Sequence, residues 1–377
     1  MSFQYMIKVP FSKPDIRQSD LSNVTKSIKS GWLAHGKNSQ LLENEFCKYT
    51  KSKYSTTVSN CTSGLHLACI AIGLKKGDEA IIPAQTHTAT AHAAELTGAT
   101  VKFADVDPLT GNILIDEIKK KITKKTKCLI VVHMAGYPCE MEKIINLCKK
   151  KKIEVIEDCA HGLGTKFKKK HAGTFGVCGV FSFYPTKQIT TGEGGVLITN
   201  NKRFIKKIKV LKALGVNTPP ELRKKQGIYD VTNLGLNYRL TDFQAALAIG
   251  QLRRYKLNLI KRQNNAQKYI KKFSKLKNIK VQKFDKNHSY FIFQIFLPSE
   301  NIRNNILKDF KKKYIGSSIH YATPVPLMSY YKNKYNLKKK DFPNAEKYGK
   351  TSISLPVHPY INNKMIGHIY STIKEIL

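Results

Sequence analysis

At 377 residues with 41% hydrophobic content, the chain can bury more core than one domain usually carries, which excludes disordered and fibrous classes. Its formal charge of +39 invites a nucleic-acid reading, since a basic face releases counterions as it covers phosphates. Yet only eight of the 65 basic residues are arginine, the side chain that grips phosphates and bases bidentately, and the 57 lysines are spread along the whole length; the excess reads as solvated surface.

The opening MSFQYMIKVPFSKP lacks a charged region followed by an apolar stretch, and no apolar run reaches the roughly 18 residues of a membrane span. A soluble, cytoplasmic protein is expected. Cys47, Cys61, Cys69, Cys128, Cys139, Cys148, Cys159 and Cys178 contain no CxxC pair, so reduced thiols are expected, with no disulfide framework and no metal site.

In chain order, SNCTSGLHLACIAIGL (59–74) sets Thr62 and Ser63 ahead of an apolar helical run. Their hydroxyls and N–H groups suit a phosphate dianion, although an ordinary N-cap reads the same way. Short apolar or β-branched runs follow at 79–84, 100–106, 128–134, 153–158, 179–185 and 195–200, with helical segments at 113–123 and 139–151 between them. The alternation predicts a mainly parallel α/β sheet with ligands at the carboxyl ends of its strands. The lysine run 149–152 closes a predicted helix, where cations suit the dipole. Thr241 and Gln244 form a capping box opening a long basic helix to about residue 275, read as the bridge to a second domain. Beyond it, HSYFIFQIFLP as strand, NIRNNILKDFKKK as helix and a last helix at 361–375 make a small α+β domain. The expected division is 1–255 and 256–377.

Asp158 closes the apolar strand IEVIED, and Lys187 follows the strand FSFYP 29 residues later. A carboxylate and an amine at one sheet edge match what pyridoxal phosphate (PLP) needs: an anion at the pyridine nitrogen and an amine for the aldehyde. The pair alone could equally be a salt bridge. Ser182 adds a hydroxyl beside the lysine, Gly192, Gly194 and Gly195 permit a tight turn next to it, and His87 lies where the chain leaves an earlier strand, placed to cover the pyridine ring.

With these residues in place, the chain resembles the DegT-type (DegT/StrS) sugar aminotransferases, fold-type I PLP enzymes, along nearly its whole length. The resemblance is carried in order by SGWLAHGKNSQLLENEF, VSNCTSGLHLA, PAQTHTATAHAAELTGA, VVHMAGYPCEM, VIEDCAHGLGT, FSFYPTKQITTGEGG, GLNYRLTDFQAALAIGQL and SLPVHP. It implies an α/β fold with a mainly parallel central sheet and a smaller C-terminal α+β domain. It makes Lys187 the Schiff-base lysine and proton shuttle, Asp158 the partner of the pyridine nitrogen, and Thr62, Ser63 and Ser182 the phosphate grip. Asn237 would join that grip from the partner subunit, so a homodimer with shared sites is implied. Three positions depart from the common pattern: His87 replaces a stacking aromatic ring, His161 a glutamine beside the phenolic oxygen, and Cys61 a glycine of the phosphate loop. Relatives that dehydrate deoxysugars carry histidine at the lysine position, so Lys187 favours transamination.

The implied reaction moves an amino group from L-glutamate to a nucleotide-linked keto sugar, at C4 of a 4-keto-6-deoxy hexose or at C3 of a 3-keto sugar, for polysaccharide or glycan precursors. Trp32, His35, His320 and Tyr321 are candidate substrate contacts. Two competing readings stand beside it. Asp105-Val106-Asp107 could be the metal-nucleotide motif of a glycosyltransferase, and the chain could be a non-catalytic PLP-fold regulator or basic nucleic-acid binder.

Overall fold

A computed structural model describes residues 7–217, 225 and 227–377; the start of the leader reading and Arg223 lie outside them. The helices are α1 (Gln18–Lys29), α2 (Lys37–Thr50), α3 (Cys61–Ala71), α4 (Thr88–Glu95), α5 (Ile115–Lys121), α6 (Met141–Lys151), α7 (Lys202–Leu211), α8 (Asp242–Phe273), α9 (Glu300–Lys312), α10 (Ser329–Tyr335), α11 (Pro343–Thr351) and α12 (Asn363–Lys374). The strands are β1 (Tyr54–Val58), β2 (Glu79–Pro83), β3 (Thr100–Ala104), β4 (Thr126–Val132), β5 (Glu154–Asp158), β6 (Lys166–Phe167), β7 (Lys170–His171), β8 (Cys178–Ser182), β9 (Gly195–Thr199), β10 (Lys280–Val281), β11 (Phe293–Phe296) and β12 (Ser352–Leu355).

Seven strands form the central sheet in the order β1-β9-β8-β5-β4-β2-β3. β9 alone pairs antiparallel with its neighbours; the pairs β2–β3, β2–β4, β4–β5 and β5–β8 are parallel. Alternate side chains face opposite layers, as the pleat requires. From β4, Cys128 and Ile130 join the core under α3, α4 and α7, while Leu129 and Val131 pack with Ile118 of α5 and Ile144 of α6. Leu42 and Phe46 of α2 and Ala248 and Leu252 of α8 cover Phe181, Val196 and Ile198.

Gln244 Oε1 accepts from the Thr241 N–H at 3.4 Å, so the expected capping box opens α8, which ends at Phe273. The antiparallel sheet β10-β11-β12 forms the smaller C-terminal α+β unit, its core built from Tyr269 and Phe273, Phe310 of α9 and Ile366 and Ile369 of α12. Val9 from the N-terminal segment joins this core, whereas Val325, Tyr331, Phe342 and Ala345 join the core of the large sheet. α6 ends at Lys151 with Lys149, Lys150, Lys151 and Lys152 exposed, as the dipole argument anticipates.

One strand differs from expectation. HSYFIFQIFLP was expected to be extended throughout, but β11 starts only at Phe293. Tyr290 turns through φ +47°, and the preceding residues bond to the loop after β4 instead: Ser289 N–H to Gly136 O at 3.1 Å and Phe291 N–H to Ala135 O at 3.1 Å. That detour carries Phe291 beneath the sheet's carboxyl edge.

Candidate active site

The carboxyl ends of β2, β5 and β8 and the N-terminus of α3 meet around a cavity of about 690 Å³, a size that suits a cofactor with its substrate. Thr62, His87, Asp158, His161, Ser182, Lys187, His320 and Tyr321 all line it. Four expected residues do not. Ser63 sits one residue further along α3, where its N–H and hydroxyl both donate to the N-cap Asn60 Oδ1, at 2.8 and 3.0 Å. Asn237 is exposed and accepts from Arg239 Nε at 3.0 Å. Trp32 is exposed, with its indole N–H on His35 O at 3.2 Å, and His35 faces Thr57 and Glu43.

Asp158 is 4% exposed at the last position of β5. Its Oδ2 accepts from Thr90 Oγ1 at 2.8 Å, and its Oδ1 from Ala160 N–H at 3.0 Å and Cys61 Sγ at 3.9 Å. A carboxylate offers about four acceptor positions, so one remains for a ligand.

Lys187 is half-buried after β8, its N–H on Tyr184 O at 2.9 Å and its Nζ 4.5 Å from the centre of the Phe291 ring. Burial pulls its proton affinity from the usual 10.5 down to about 8, partly offset by the negative charge of Asp158. An amine near 8 is unprotonated often enough at neutral pH to attack a carbonyl carbon. The glycine turn that follows has a specific cause at Gly195: a Cβ there would lie 2.6 Å from Phe181 O and 3.1 Å from Cys61 N, blocking both the β8–β9 pairing and the α3 N-terminus.

Three imidazoles surround the lysine, all held neutral. His161 stacks on Phe291 at 4.3 Å and 17°, and its proton affinity falls well below the usual 6.5 through burial and then through the Lys187 charge. Its Nδ1 accepts from Ala135 N–H at 3.3 Å, so the neutral ring carries its proton on Nε2. His87 caps α4 through Nδ1, accepting from Ala89 N–H at 3.2 Å, and is lowered by burial and then by Lys187. His320 is pushed down to about 3 by the same two causes, with its Nδ1 3.0 Å from Ser354 Oγ. Burial raises the Tyr321 phenol, and Gln85 Nε2 donates to its backbone O at 2.8 Å.

The glycosyltransferase motif is consumed by local structure. Asp105 is buried and accepts from Asn344 and Ala345 N–H at 3.0 and 2.9 Å, capping α11 from across the fold. Asp107 Oδ1 accepts from Leu109 N–H, Thr110 N–H and Thr110 Oγ1. Among the described residues, His133, Glu157 and Cys159 have metal-ligating atoms within 4.8 Å of one another. Glu157, however, already accepts from Gly173, Phe175 and Gly176 N–H, and its Oε2 lies 3.0 Å from His133 Nε2.

Sequence reasoning missed Phe291, Phe11 and Thr90. Phe291 and Phe11 reach the site from distant segments without a local pattern, whereas Thr90 lies inside PAQTHTATAHAAELTGA. Its placement three residues after the strand-leaving His87, on the first turn of a helix, was the available signal.

The DegT/DnrJ/EryC1/StrS aminotransferase family model matches residues 14–374. The chain belongs to this family. GDP-perosamine synthase of Escherichia coli O157:H7 is 35% identical over 368 residues, 97% of this chain and 98% of that protein. UDP-4-amino-4,6-dideoxy-N-acetyl-beta-L-altrosamine transaminase of Campylobacter jejuni subsp. jejuni serotype O:23/36 is 34% identical over 377 residues, covering 98% and 97%. Spr1654 of Streptococcus pneumoniae, solved in its PLP form, superposes with a TM-score of 0.91 at 26% identity over 98% of both chains. The enzyme is thus a PLP-dependent aminotransferase, and its donor set fits that cofactor: a carboxylate with a vacant acceptor position, an amine of lowered proton affinity and a helix N-terminus share one cavity.

Proposed function

We propose that the enzyme transfers an amino group from L-glutamate to a keto sugar carried on a nucleotide, at C4 of a 4-keto-6-deoxy hexose, in making a polysaccharide or glycan precursor. The observation that carries this reading is the meeting of Lys187, brought to about 8 by burial, with the Asp158 carboxylate in one cavity. The C4 position is supported by the Campylobacter relative, whose name specifies a 4-amino-4,6-dideoxy sugar. When bound, PLP supplies an electron sink at the carbon that loses or gains the amino group.

In this reading Lys187 would hold the cofactor through its amine and, when its amine is free, would serve as the base that takes up and returns a proton. Asp158 would hold the pyridine nitrogen. The N-terminus of α3 with Thr62 and Ser182 holds the phosphate, Ser63 contributing through the cap it shares with Asn60. His161, with its proton on Nε2, would donate to the cofactor's phenolic oxygen, and His87 would cover its ring. His320 and Tyr321 contact the substrate.

The enzyme works as a cytoplasmic homodimer in which Asn237 serves the partner's phosphate site, with Trp32 and His35 at the junction. Asn237 is exposed outside its own cavity, and Leu214, Ile228, Val231 and Leu234 nearby are exposed by 49, 64, 54 and 94%. Apolar exposure on that scale fits a covered face. All eight cysteines are free, which fits a reducing compartment, and among the described residues no helix is long and apolar enough to cross a membrane. The large PLP-binding domain takes residues 1–255 and the small C-terminal domain 256–377, the boundary falling within α8.

The test is the absorbance of the PLP-loaded enzyme on adding L-glutamate, followed by a panel of nucleotide-linked 3-keto and 4-keto sugars. The bound-PLP band should give way to that of the aminated cofactor and return only with a 4-keto sugar. A band indifferent to glutamate overturns the donor, and recovery with 3-keto sugars overturns C4.

A further inference from the structure

Asp158 is held by an ordered chain of hydroxyls that begins at the cavity wall. Thr86 lines the cavity at the end of the β2 segment, its Oγ1 lying 2.7 Å from Thr90 Oγ1, and Thr90 Oγ1 lies 2.8 Å from Asp158 Oδ2. Thr86 and Thr90 are 1% and 0% exposed, so no bulk water competes for either hydroxyl. A carboxylate only accepts, so the single Thr90 proton is committed to Asp158, and Thr86 must donate to Thr90. The direction of the chain is therefore fixed, from the cavity to the acid.

The other donors to Asp158 cannot replace this one. Ala160 N–H and the Cys61 thiol both go to Oδ1, and the thiol, at 3.9 Å, is a weak donor whose proton burial holds on the sulfur. Thr90 is the donor recorded on Oδ2 among the described residues. It sets the rotation of the carboxylate plane and hence the direction of the one acceptor position left open.

The geometry points to Thr90 as a positioning residue for the cofactor's pyridine nitrogen: through Asp158 Oδ2, and backed by Thr86, it aims the carboxylate at that nitrogen. This rests on the reading of Asp158 given above. Thr90 touches neither substrate nor cofactor. Its effect should therefore appear only where the ligand has a nitrogen to be met.

The experiment measures dissociation constants of the full-length enzyme, freed of cofactor, for PLP and for 1-deaza-PLP, which has carbon in place of the pyridine nitrogen. Wild type should prefer PLP, and D158A should erase the preference. T90V, nearly isosteric but without a donor, should weaken PLP binding by about tenfold or more, the worth of a buried hydrogen bond to a charged group, and leave the deaza analogue within about twofold. T90S should restore the preference. Equal weakening of both ligands in T90V makes Thr90 a packing residue and overturns the inference, as does an undiminished preference. A preference that survives D158A means instead that Asp158 does not meet the nitrogen, which separates failure of the underlying reading from failure of this one. If T90V does not fold, T90A with T90S as rescue reads the same two constants.

Discussion

Lys187→Met replaces the cavity's amine with an apolar chain of similar length. An ammonium that releases its proton near pH 8 in the fold, against 10.5 when exposed, burdens folding by about 3 kcal/mol at pH 7, at about 1.36 kcal/mol per tenfold change in proton affinity. The sign follows from proton counting. Below about pH 8 the folded and unfolded chains both carry the proton, and the whole burden is present. Between about 8 and 10.5 the unfolded chain holds more protons than the folded one, so rising pH stabilises the wild type and the burden fades. The variant has no such step. Urea unfolding of cofactor-free wild type and K187M, near pH 7 and near pH 9.5, isolates it: the stability of wild type relative to K187M should rise by about 2 kcal/mol between the two conditions. Packing changes against Phe291 are the same at both pH values and cancel. A difference that does not move with pH would refute the claim that burial disfavours the charged lysine.

His161 is kept neutral by burial and by Lys187, so it should donate from Nε2 without titrating in the working range. H161Q, which keeps a donor, should show a pH profile of kcat/KM that overlays the wild type between about pH 6 and 8, whereas H161F should lose about tenfold or more in turnover. Asp105→Ala should lower the free energy of unfolding by about 1–3 kcal/mol by leaving two N–H groups of α11 without their acceptor, while EDTA should leave aminotransfer unchanged. Activity that vanishes with EDTA and with D105A together, at unchanged stability, would return Asp105 to a metal-binding role.

The parallel strands were legible because each is a short apolar run bounded by a turn, and Asp158 at the end of one and Lys187 in the turn after another could be assigned to one edge on that ground alone. β1 escaped notice. YSTTV has no alternation of apolar and polar side chains, and its polarity is satisfied internally: Thr57 N–H, Thr56 Oγ1 and Thr57 Oγ1 all donate to Glu43 Oε1. Phe291 was hidden for a different reason. Its segment reads as a strand by composition, and only bonds to Ala135 and Gly136, more than 100 residues earlier, take it off that path. Patterns in sequence report local period and turn chemistry; they do not report which distant loop offers a better hydrogen-bond partner.

Among the described residues two lysines are brought to about 8 by burial, and the contrast between them shows what the cavity adds. Lys212, 4% exposed, donates from Nζ to Thr56 Oγ1 at 2.6 Å and Thr57 O at 2.8 Å and lies 3.6 Å from Glu43 Oε1. Its charge is paired with the buried Glu43 carboxylate, so giving up the proton would take away that carboxylate's nearest cation, and the amine does not line the cavity. Lys187 has the same lowered affinity with the opposite surroundings: among the described residues its Nζ makes no hydrogen bond, it rests on the face of Phe291, and it opens on a cavity of about 690 Å³. Losing the proton there abandons only a contact with an aromatic ring. A lowered proton affinity becomes nucleophilicity when the uncharged form has somewhere to go, and among 57 lysines the turn that follows FSFYP gives Lys187 that freedom.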